Sequence, residues 1–334
     1  MAADPTKLKV VKDLSRSDVL FGLARQPNTG RVFVGSSDFK LYDVDMTVDK
    51  PEAKQVGEHQ SYVTSVALAK ETLVSGGYDC KLSWWKPGES KPLRTVDGHA
   101  KRIRMIVASP DGKLVASVAD DMVCKLWDAA SGKVVRELRG HDAITPHHYP
   151  SMLYAVAFSS DGKQLATGDK TGKVVVWNVA DGKQLGTLDA SGVYTWDPTQ
   201  RRHSIGGIRS LAFSPDGKRI AVGGMGKVGN IDHPDSPGRL EVFEWLSGKK
   251  LFDLQTESKL KGMIEQLAFN ADGSWLVGAG GGYAGFIAFF DVNAGKVIFQ
   301  DTAPMHVHGM SLAESGDKIY ASGHNKLVVW EMKG

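Results

Sequence analysis

The sequence predicts an all-β fold assembled from repeated antiparallel units. A turn followed by an alternating apolar stretch recurs as SPDGKLVAS at 109–117, SSDGKQLAT at 159–167 and SPDGKRIAV at 214–222. An apolar strand ending in an aromatic residue, such as CKLWD or VVVWN, follows each copy after about ten residues, which is typical of a hairpin. Glycine makes up 38 of 334 residues, which suits many tight turns. We find no long segment with helical periodicity.

The last aromatic residue of each unit, or its equivalent, divides the chain into seven units of about 40 residues plus insertions. A four-stranded sheet cannot bury both of its faces by itself. Radial packing against neighbouring sheets makes both faces core, which explains wholly apolar strands such as LYAVAF at 153–158. The seven marks are Val44, Trp85, Trp127, Trp177, Phe243, Phe290 and Trp330.

A set of polar residues recurs inside several units. The third unit is the most complete, with Gly98-His99, Ser117, Asp121 and Trp127, whereas the fourth has Thr171 where an aspartate is expected. The chain resembles the WD-repeat family along essentially its whole length. The resemblance implies an all-β, seven-bladed β-propeller of four-stranded antiparallel blades, in which such residues are hydrogen-bonded inside each blade. The expected structural blade network comprises His59, Ser75, Asp79, Trp85, His99, Ser117, Asp121, Trp127, His141, Thr167 and Trp177.

The two ends of the chain predict how the last blade is completed. The sequence stops four residues after Trp330, with no fourth strand for the seventh unit, and LKVV at 8–11 is strand-like. We expect the N-terminal strand, about residues 7–13, to complete blade 7 and so remove an exposed edge. The expected domain organisation is a single propeller spanning residues 1–334.

Three connections are longer than their equivalents in other units: 142–152, 189–207 and 225–238. In an antiparallel meander all three lie on the same face, on blades 4 and 5. Surface loops on a rigid scaffold often carry function, and these loops contain the aromatic and arginine side chains that anchor protein interfaces. The alternative is that the loops only pack on one another and cap these blades.

The first strand of each unit suggests a second group of binding residues. Side chains on either side of its first apolar residue share the opposite face, because a strand has a period of two. They form a mixed aromatic, basic and histidine set at the mouth of the channel, suited to a peptide or acidic segment, unless they simply line a water-filled channel. With the insertions, they give the predicted partner-binding residues Tyr62, Arg102, Arg104, Tyr149, Tyr154, Tyr194, Trp196, Arg201, Arg202 and Arg209.

Histidines outside the repeat set map to the same elaborated face or its rim. His306 and His308 are two positions apart on a predicted strand, so both imidazoles point the same way, as two ligands of one metal would. A metal-binding or enzymatic propeller is therefore the alternative function. The candidate ligands are His203, His233, His306 and His308.

Composition narrows the remaining classes of function. Lysine plus arginine is 41 and aspartate plus glutamate is 38, so the net charge is only +3, which does not favour nucleic acid. Two cysteines are too few for a disulfide framework, and no signal peptide or apolar membrane span is visible. We find no nucleophile elbow, P-loop or dinucleotide fingerprint. These observations predict a cytoplasmic, non-catalytic scaffold that binds a protein or peptide, takes no cofactor, binds neither nucleic acid nor membranes, and is a monomer or weak oligomer.

Overall fold

The computed structural model describes residues 3–199, 201–232 and 235–333. These residues divide into two compact units, which we describe separately: unit 1 comprises residues 1–139 and 308–334, and unit 2 comprises residues 140–307. Antiparallel strands dominate both units, and the only helical segments among the described residues are the 3₁₀ turns Pro5–Lys7 and Ser191–Val193. No helix in the described part of the chain is both long and apolar enough to cross a membrane.

Unit 1 contains two four-stranded meanders and one larger sheet. The strands of the two meanders are β5 (Val63–Ala69), β6 (Thr72–Gly77), β7 (Lys81–Trp85) and β8 (Arg94–Asp97), then β9 (Ile103–Ala108), β10 (Leu114–Ala119), β11 (Cys124–Asp128) and β12 (Val134–Leu138). The strands of the larger sheet are β1 (Lys9–Arg25), β2 (Arg31–Ser36), β3 (Lys40–Asp45), β4 (Lys54–Glu58), β27 (Val307–Leu312) and β28 (Lys318–Glu331).

Unit 2 contains three four-stranded meanders and a two-stranded hairpin. The first meander comprises β13 (Leu153–Phe158), β14 (Gln164–Asp169), β15 (Lys173–Asn178) and β16 (Gln184–Asp189). The second comprises β19 (Ser210–Phe213), β20 (Arg219–Met225), β21 (Gly238–Glu244) and β22 (Lys249–Gln255). The third comprises β23 (Met263–Phe269), β24 (Trp275–Gly281), β25 (Gly285–Asp291) and β26 (Lys296–Ala303). The hairpin is formed by β17 (Tyr194–Asp197) and β18 (His203–Gly206). The predicted all-β fold with four-stranded antiparallel blades is confirmed.

The number of sheets differs from the predicted seven blades. The described residues form one six-stranded sheet, five four-stranded sheets and the hairpin, so six sheets have four or more strands. The difference arises because β1 is one continuous strand of 17 residues. Its first part pairs with β28, where Lys9 faces Glu331, and its last part pairs with β2, where Leu23 faces Val34. One sheet therefore joins what the repeat divides into a first and a last unit.

The recurring SPDGK turns are closed by the side chains that define the repeat. Between β9 and β10, the Ser109 hydroxyl donates to Asp111 Oδ1 at 2.7 Å and accepts from the Leu114 N–H at 2.9 Å. Gly112 follows with φ +65°, a backbone conformation that glycine adopts without strain. The same serine–aspartate contacts close the turns at Ser159 and Ser214. Each repeated turn thus sets the register of its hairpin through local hydrogen bonds.

The hydrophobic core lies between successive sheets of each unit. In unit 1, Trp84, Ile103 and Trp127 belong to one buried cluster contributed by two meanders. In unit 2, Ile208 and Phe243 belong to a corresponding cluster. Both faces of these sheets are therefore buried, and the inner strands are nearly all apolar for that reason.

Candidate functional site

A chain of hydrogen bonds runs from aspartate to histidine, hydroxyl and tryptophan inside the third sequence repeat. His99 Nδ1 lies 3.1 Å from both carboxylate oxygens of Asp121, and its Nε2 lies 2.7 Å from the Ser117 hydroxyl. The Trp127 indole N–H donates to the same hydroxyl at 2.8 Å. A proton on Nδ1 lets His99 donate to Asp121 and accept from Ser117, so every polar group in this chain has a partner.

The second sequence repeat has the same arrangement of hydrogen bonds. His59 Nδ1 lies 2.9 Å from Asp79, and its Nε2 lies 2.7 Å from the Ser75 hydroxyl, to which the Trp85 indole N–H donates at 2.7 Å. These are the residue types of a hydrolase triad. However, Ser75 is fully buried and already accepts the indole N–H, so its hydroxyl is not placed to attack a substrate. The arrangement stabilises the blade and has no nucleophilic role.

The hydrogen-bond network of the fourth sequence repeat includes an aspartate that the repeat pattern did not predict. His141 bonds to Thr167 at 2.8 Å, and Trp177 donates to that hydroxyl at 2.9 Å. The carboxylate comes from Asp169, 2.8 Å from His141 Nδ1, and not from position 171. Thr171 instead donates its backbone N–H and hydroxyl to Asp169 Oδ1 at 2.9 and 2.8 Å. An aspartate two residues before a threonine was the available sequence signal.

These three aspartates make the blade networks sensitive to acid. Burial desolvates Asp79, Asp121 and Asp169 and opposes their ionisation, but hydrogen bonds and charge from the paired histidine, with further backbone N–H donors, outweigh it. The net effect holds the pKa of each carboxyl below its usual value of 3.8. A depressed pKa in the folded state stabilises the protein above the unfolded-state pKa, and this contribution is lost as pH falls through the folded-state pKa.

We expect Asp169→Asn to lower the free energy of unfolding at pH 7 by about 1–3 kcal/mol, because the amide cannot accept all of the bonds made by the buried carboxylate. We also expect the variant to lose less stability than wild type as pH falls below about 4, since one acid-sensitive carboxylate is gone. Urea denaturation at pH 7 and pH 3 measures both effects. Asp181→Asn, in an exposed turn, is the control. Parallel pH dependence of wild type and Asp169→Asn would contradict this assignment.

The first sequence repeat lacks the histidine and tryptophan of the network. Side chains from β1 form a different polar network in their place. Asp18 accepts from the Ser36 hydroxyl and pairs with Arg16 at 2.7 Å. The Arg16 guanidinium lies 4.1 Å from the centroid of the Tyr42 ring, and the Tyr42 hydroxyl donates to Asp38 at 2.5 Å. Burial, with the hydrogen bond to Asp38, raises the pKa of Tyr42 to about 12. Because Arg16 and Asp18 precede the repeat, the repeat pattern did not reveal them.

The insertions at 142–152 and 189–207 contact each other through aromatic side chains. The His147 ring stacks on Trp196 at 4.1 Å with an interplanar angle of 9°, and His147 Nδ1 lies 3.0 Å from the Tyr194 hydroxyl. Tyr149, 38% exposed, lies 5.5 Å from Trp196, and 6.2 Å from His203 at the edge of the group. Four predicted binding or metal residues, Tyr149, Tyr194, Trp196 and His203, are thus brought together with His147.

The insertion at 225–238 contacts the same hairpin. Arg201 donates to Asp232 Oδ2 from Nε at 3.0 Å and from a terminal nitrogen at 2.8 Å. The Val228 N–H donates to the Thr195 hydroxyl at 3.1 Å on the buried side. The described parts of all three insertions therefore form one continuous surface, which we call the insertion surface: residues 142–152, 189–199, 201–207, 225–232 and 235–238. The exposed Arg202 also lies on it.

The strand-start residues of unit 2 pair with one another. The Arg209 guanidinium lies 4.0 Å from the centroid of the Tyr154 ring, and its Nε–H donates to Met263 Sδ at 3.0 Å. Tyr154 is only 8% exposed and donates its hydroxyl to Met152 Sδ at 2.8 Å. Tyr154 therefore packs against the Arg209 guanidinium and exposes little of its own surface to a partner.

The strand-start residues of unit 1 differ from one another in availability. Arg104 forms two bonds of 2.7 Å to Asp120, and donates to the Tyr78 hydroxyl at 2.9 Å. Its charge is therefore already neutralised. Arg102 and Tyr62 are exposed, and the Arg102 guanidinium lies 4.9 Å from the centroid of the Tyr78 ring. Sequence periodicity placed these residues on a common strand face but did not show which arginine had a carboxylate partner.

Three of the four predicted metal ligands lie among the described residues. His203 is exposed at the start of β18, whereas His306 is buried, with Nδ1 3.2 Å from the Gly282 carbonyl and Nε2 3.5 Å from Glu265. In unit 1, the His308 ring lies 4.9 Å from the His324 ring. His233 lies outside the described residues. The metal assignment stays a prediction.

Comparison with known proteins finds a repeat family in part of the chain. A family model described as "WD domain, G-beta repeat" matches residues 90–128, 132–178 and 184–228. These segments include the networks around Trp127 and Trp177 described above. The chain contains WD repeats. The match accounts for the hydrogen-bonded residues in the third and fourth units.

Several WD-repeat relatives are similar to the chain. Protein groucho of Drosophila melanogaster is 24% identical over 98% of this chain and 41% of its own length. WD repeat-containing protein VIP3 of Arabidopsis thaliana is 27% identical over 46% of each chain. Nuclear distribution protein PAC1 of Arthroderma benhamiae is 32% identical over 44% of this chain and 32% of its own length. The chain thus spans less than half the length of each of these relatives.

Proposed function

We propose that this WD-repeat protein is a non-catalytic scaffold that binds a protein or peptide, and that the insertion surface is its main contact region. The observation that carries the proposal is the contact of all three insertions through the His147–Trp196 stack and the Arg201–Asp232 ion pair. A surface whose loops are already held in place loses little conformational entropy on binding. Its exposed groups, aromatic rings and arginines, are those that most often dominate interface energies.

The same contacts fit the alternative that the insertions only cap the blades. The exposed side chains favour binding, because capping does not require them. Tyr149 is 38% exposed, and Arg202, which precedes His203 in the sequence, is exposed. A partner placing an apolar side chain against Tyr149 would exclude water from these rings and could accept hydrogen bonds from Arg202. Arg209, supported by Tyr154, would contribute a further donor for a carbonyl or carboxylate.

Non-catalytic binding is also consistent with the cysteine chemistry. Cys124 is fully buried, and burial raises the pKa of its thiol; burial is likewise the main cause that raises the pKa of Cys80. Neither thiol is therefore activated as a nucleophile.

Both cysteines are free in the structure, which supports a proposed cytoplasmic location. Fractionation of cells expressing the full chain would test that location.

A seven-bladed architecture is part of the proposal, with the six-stranded sheet corresponding to two blades. Strand β28 turns back on itself near Asn325, which has φ +60°, and the Met332 N–H donates to the Asp317 carbonyl at 2.8 Å. Strand β1 pairs with β28 from Lys9 to Val19 and with β2 from Leu20 to Arg25. Dividing both long strands at these points yields two groups of four strands. The N-terminal strand would then be the outer strand of the last blade.

The test of the insertion surface is a triple variant, Trp196→Ala with Arg201→Ala and Arg202→Ala. Proteins captured by wild type are identified by mass spectrometry, and the binary affinity of each is then measured with purified components. We expect the variant to bind its direct partner at least about tenfold more weakly, because it loses an aromatic anchor and two guanidinium groups. Equal affinity would show that this surface is not the one used.

The control replaces comparable residues elsewhere on unit 2. Leu246→Ala with Lys259→Ala removes an exposed apolar and an exposed basic side chain outside the insertions. We expect this control to bind as wild type does. Circular dichroism melting curves of both variants separate lost binding from lost folding.

A further inference from the structure

We propose that Phe39 is a surface anchor, and that the row of side chains it begins in unit 1 docks a peptide carrying an apolar side chain and a nearby carboxylate. We call this the aromatic row: Phe39, Tyr62, Tyr78 and Arg102. The inference rests on the proposed scaffold function and adds a second contact surface, distinct in sequence from the insertion surface.

The backbone at Phe39 is the first reason. Phe39 lies in the turn between β2 and β3 with φ +74°, a conformation that glycine adopts without strain and that a bulky side chain rarely adopts. The corresponding turns of the other repeat units have Cys80 (φ +66°), Met122 (φ +64°) and Gly172 (φ +93°), so the conformation recurs with different side chains. The hydrogen bonds of the Phe39 turn come from the Ser36 and Asp38 side chains and from backbone groups. The turn itself therefore does not need a phenyl ring.

The exposure of the ring is the second reason. Phe39 and Tyr62 are each 40% exposed, and their ring centroids lie 5.7 Å apart. Tyr62 in turn lies 5.6 Å from Tyr78 and 5.8 Å from Phe21, which are half-buried. The rings form a continuous apolar strip that is open to solvent at the Phe39 end. Strained residues with no structural task concentrate at binding sites, and exposed aromatic patches mark interaction surfaces.

The charged side chains at the two ends of the aromatic row indicate which kind of peptide would bind there. At the far end of the row, Arg102 is exposed, and its guanidinium lies over Tyr78 with no carboxylate partner among the described residues. The nearby Arg104 is different, because Asp120 neutralises it. At the near end, Lys40 and Glu58 occupy facing positions on β3 and β4. The row thus presents apolar rings at Phe39 and Tyr62 and a guanidinium group at Arg102.

This polarity fits a segment with one phenylalanine or leucine and one glutamate or aspartate within a few residues. The apolar side chain would cover Phe39 and Tyr62 and displace water from both rings. The carboxylate would receive a charge-assisted pair of hydrogen bonds from Arg102, whose planar group is already held by Tyr78.

The experiment titrates the full chain into fluorescein-labelled, capped octapeptides that contain one Phe and one Glu at varied separation, followed by fluorescence polarisation. We expect a subset to bind, and the same peptides with Phe→Ala or Glu→Gln to bind about tenfold more weakly. Phe39→Gly should weaken binding about tenfold, while its Tm stays unchanged or rises by about 2 °C as backbone strain is relieved. Arg102→Gln should remove the preference for Glu over Gln peptides.

Lys70→Gly is the matched control. Lys70 is exposed in the turn between β5 and β6 with φ +56°, so this change relieves a comparable backbone without removing a ring. We expect its Tm to respond as that of Phe39→Gly does and its peptide affinity to equal that of wild type. Absence of binding by every peptide would overturn the inference, as would wild-type affinity of Phe39→Gly or a fall of about 5 °C in its Tm.

The insertion-surface triple variant distinguishes the two proposals. We expect it to bind the peptides as wild type does. Loss of peptide binding in the triple variant alone would overturn the aromatic row and leave the scaffold proposal standing. Peptide binding that depends on Phe39, together with a triple variant that binds every captured partner normally, would support the row and contradict the role of the insertion surface.

Discussion

Deletion of residues 1–13 is expected to lower the Tm by about 10 °C or more. The deletion removes Lys9, Val10, Lys12 and Asp13 from the ladder with β28, where they face the segment 328–331. The opposing strand would then carry unpaired backbone N–H and C=O groups along a new edge. Three side chains of that segment, Val328, Val329 and Trp330, are at most 4% exposed in the intact protein. Differential scanning calorimetry of the purified proteins measures the effect.

A shorter deletion, of residues 1–3, is the control, because it ends before the 3₁₀ turn at Pro5–Lys7 and leaves β1 intact. We expect its Tm to match that of the full chain. The longer deletion should also increase light scattering on heating, since an open strand edge pairs with other chains. If deletion of residues 1–13 leaves the Tm unchanged, then the ladder does not stabilise the sheet and the proposed completion of the last blade by the N-terminal strand is wrong.

Trp127→Ala is expected to lower the free energy of unfolding by about 3–5 kcal/mol. The side chain is 3% exposed and lies in a cluster with Trp84, whose ring centroid is 6.0 Å away in an edge-on arrangement. Truncation removes this packing and leaves a cavity that the surrounding β-sheets cannot readily close. It also removes the donor to Ser117, which retains its bond to His99. Urea denaturation with an unchanged m-value measures the loss.

Trp127→Phe separates packing from hydrogen bonding at the same position. It keeps most of the ring volume and removes the N–H donor, so we expect a cost of about 1–2 kcal/mol. Val135→Ala, at a side chain that is 47% exposed on β12, should change the free energy of unfolding by less than about 0.5 kcal/mol. A cost below about 1 kcal/mol for Trp127→Ala would contradict the placement of this ring in the core.

Several features were predictable because they are encoded locally. The SPDGK segments predicted turns, and Ser109 with Asp111 closes such a turn through contacts between neighbouring residues. The resemblance to the WD-repeat family predicted that His99, Ser117 and Trp127 are hydrogen-bonded to one another, and the structure shows these bonds. Patterns confined to one hairpin or one meander are visible in the sequence because few alternative pairings satisfy them.

Other features depended on partners that no local pattern specifies. The network of the fourth unit takes its carboxylate from Asp169, and that of the first unit uses Asp18 from β1. Strand period two placed Arg104 and Arg209 on equivalent faces. Among the described residues, Arg104 has a carboxylate partner, while Arg209 packs on Tyr154. Period two determines which face a side chain occupies and not what a neighbouring strand presents to it.

The sequence alone determined that this chain is an all-β protein built from antiparallel repeats, because turn chemistry and apolar alternation recur within each repeat. The tertiary structure decided that the three insertions meet, through His147, Trp196 and the Arg201–Asp232 pair, and that one sheet joins both ends of the chain through β1 and β28. Those contacts join residues far apart in sequence. They form only when the packed blades bring distant loops and strands together, which is why no local pattern could specify them.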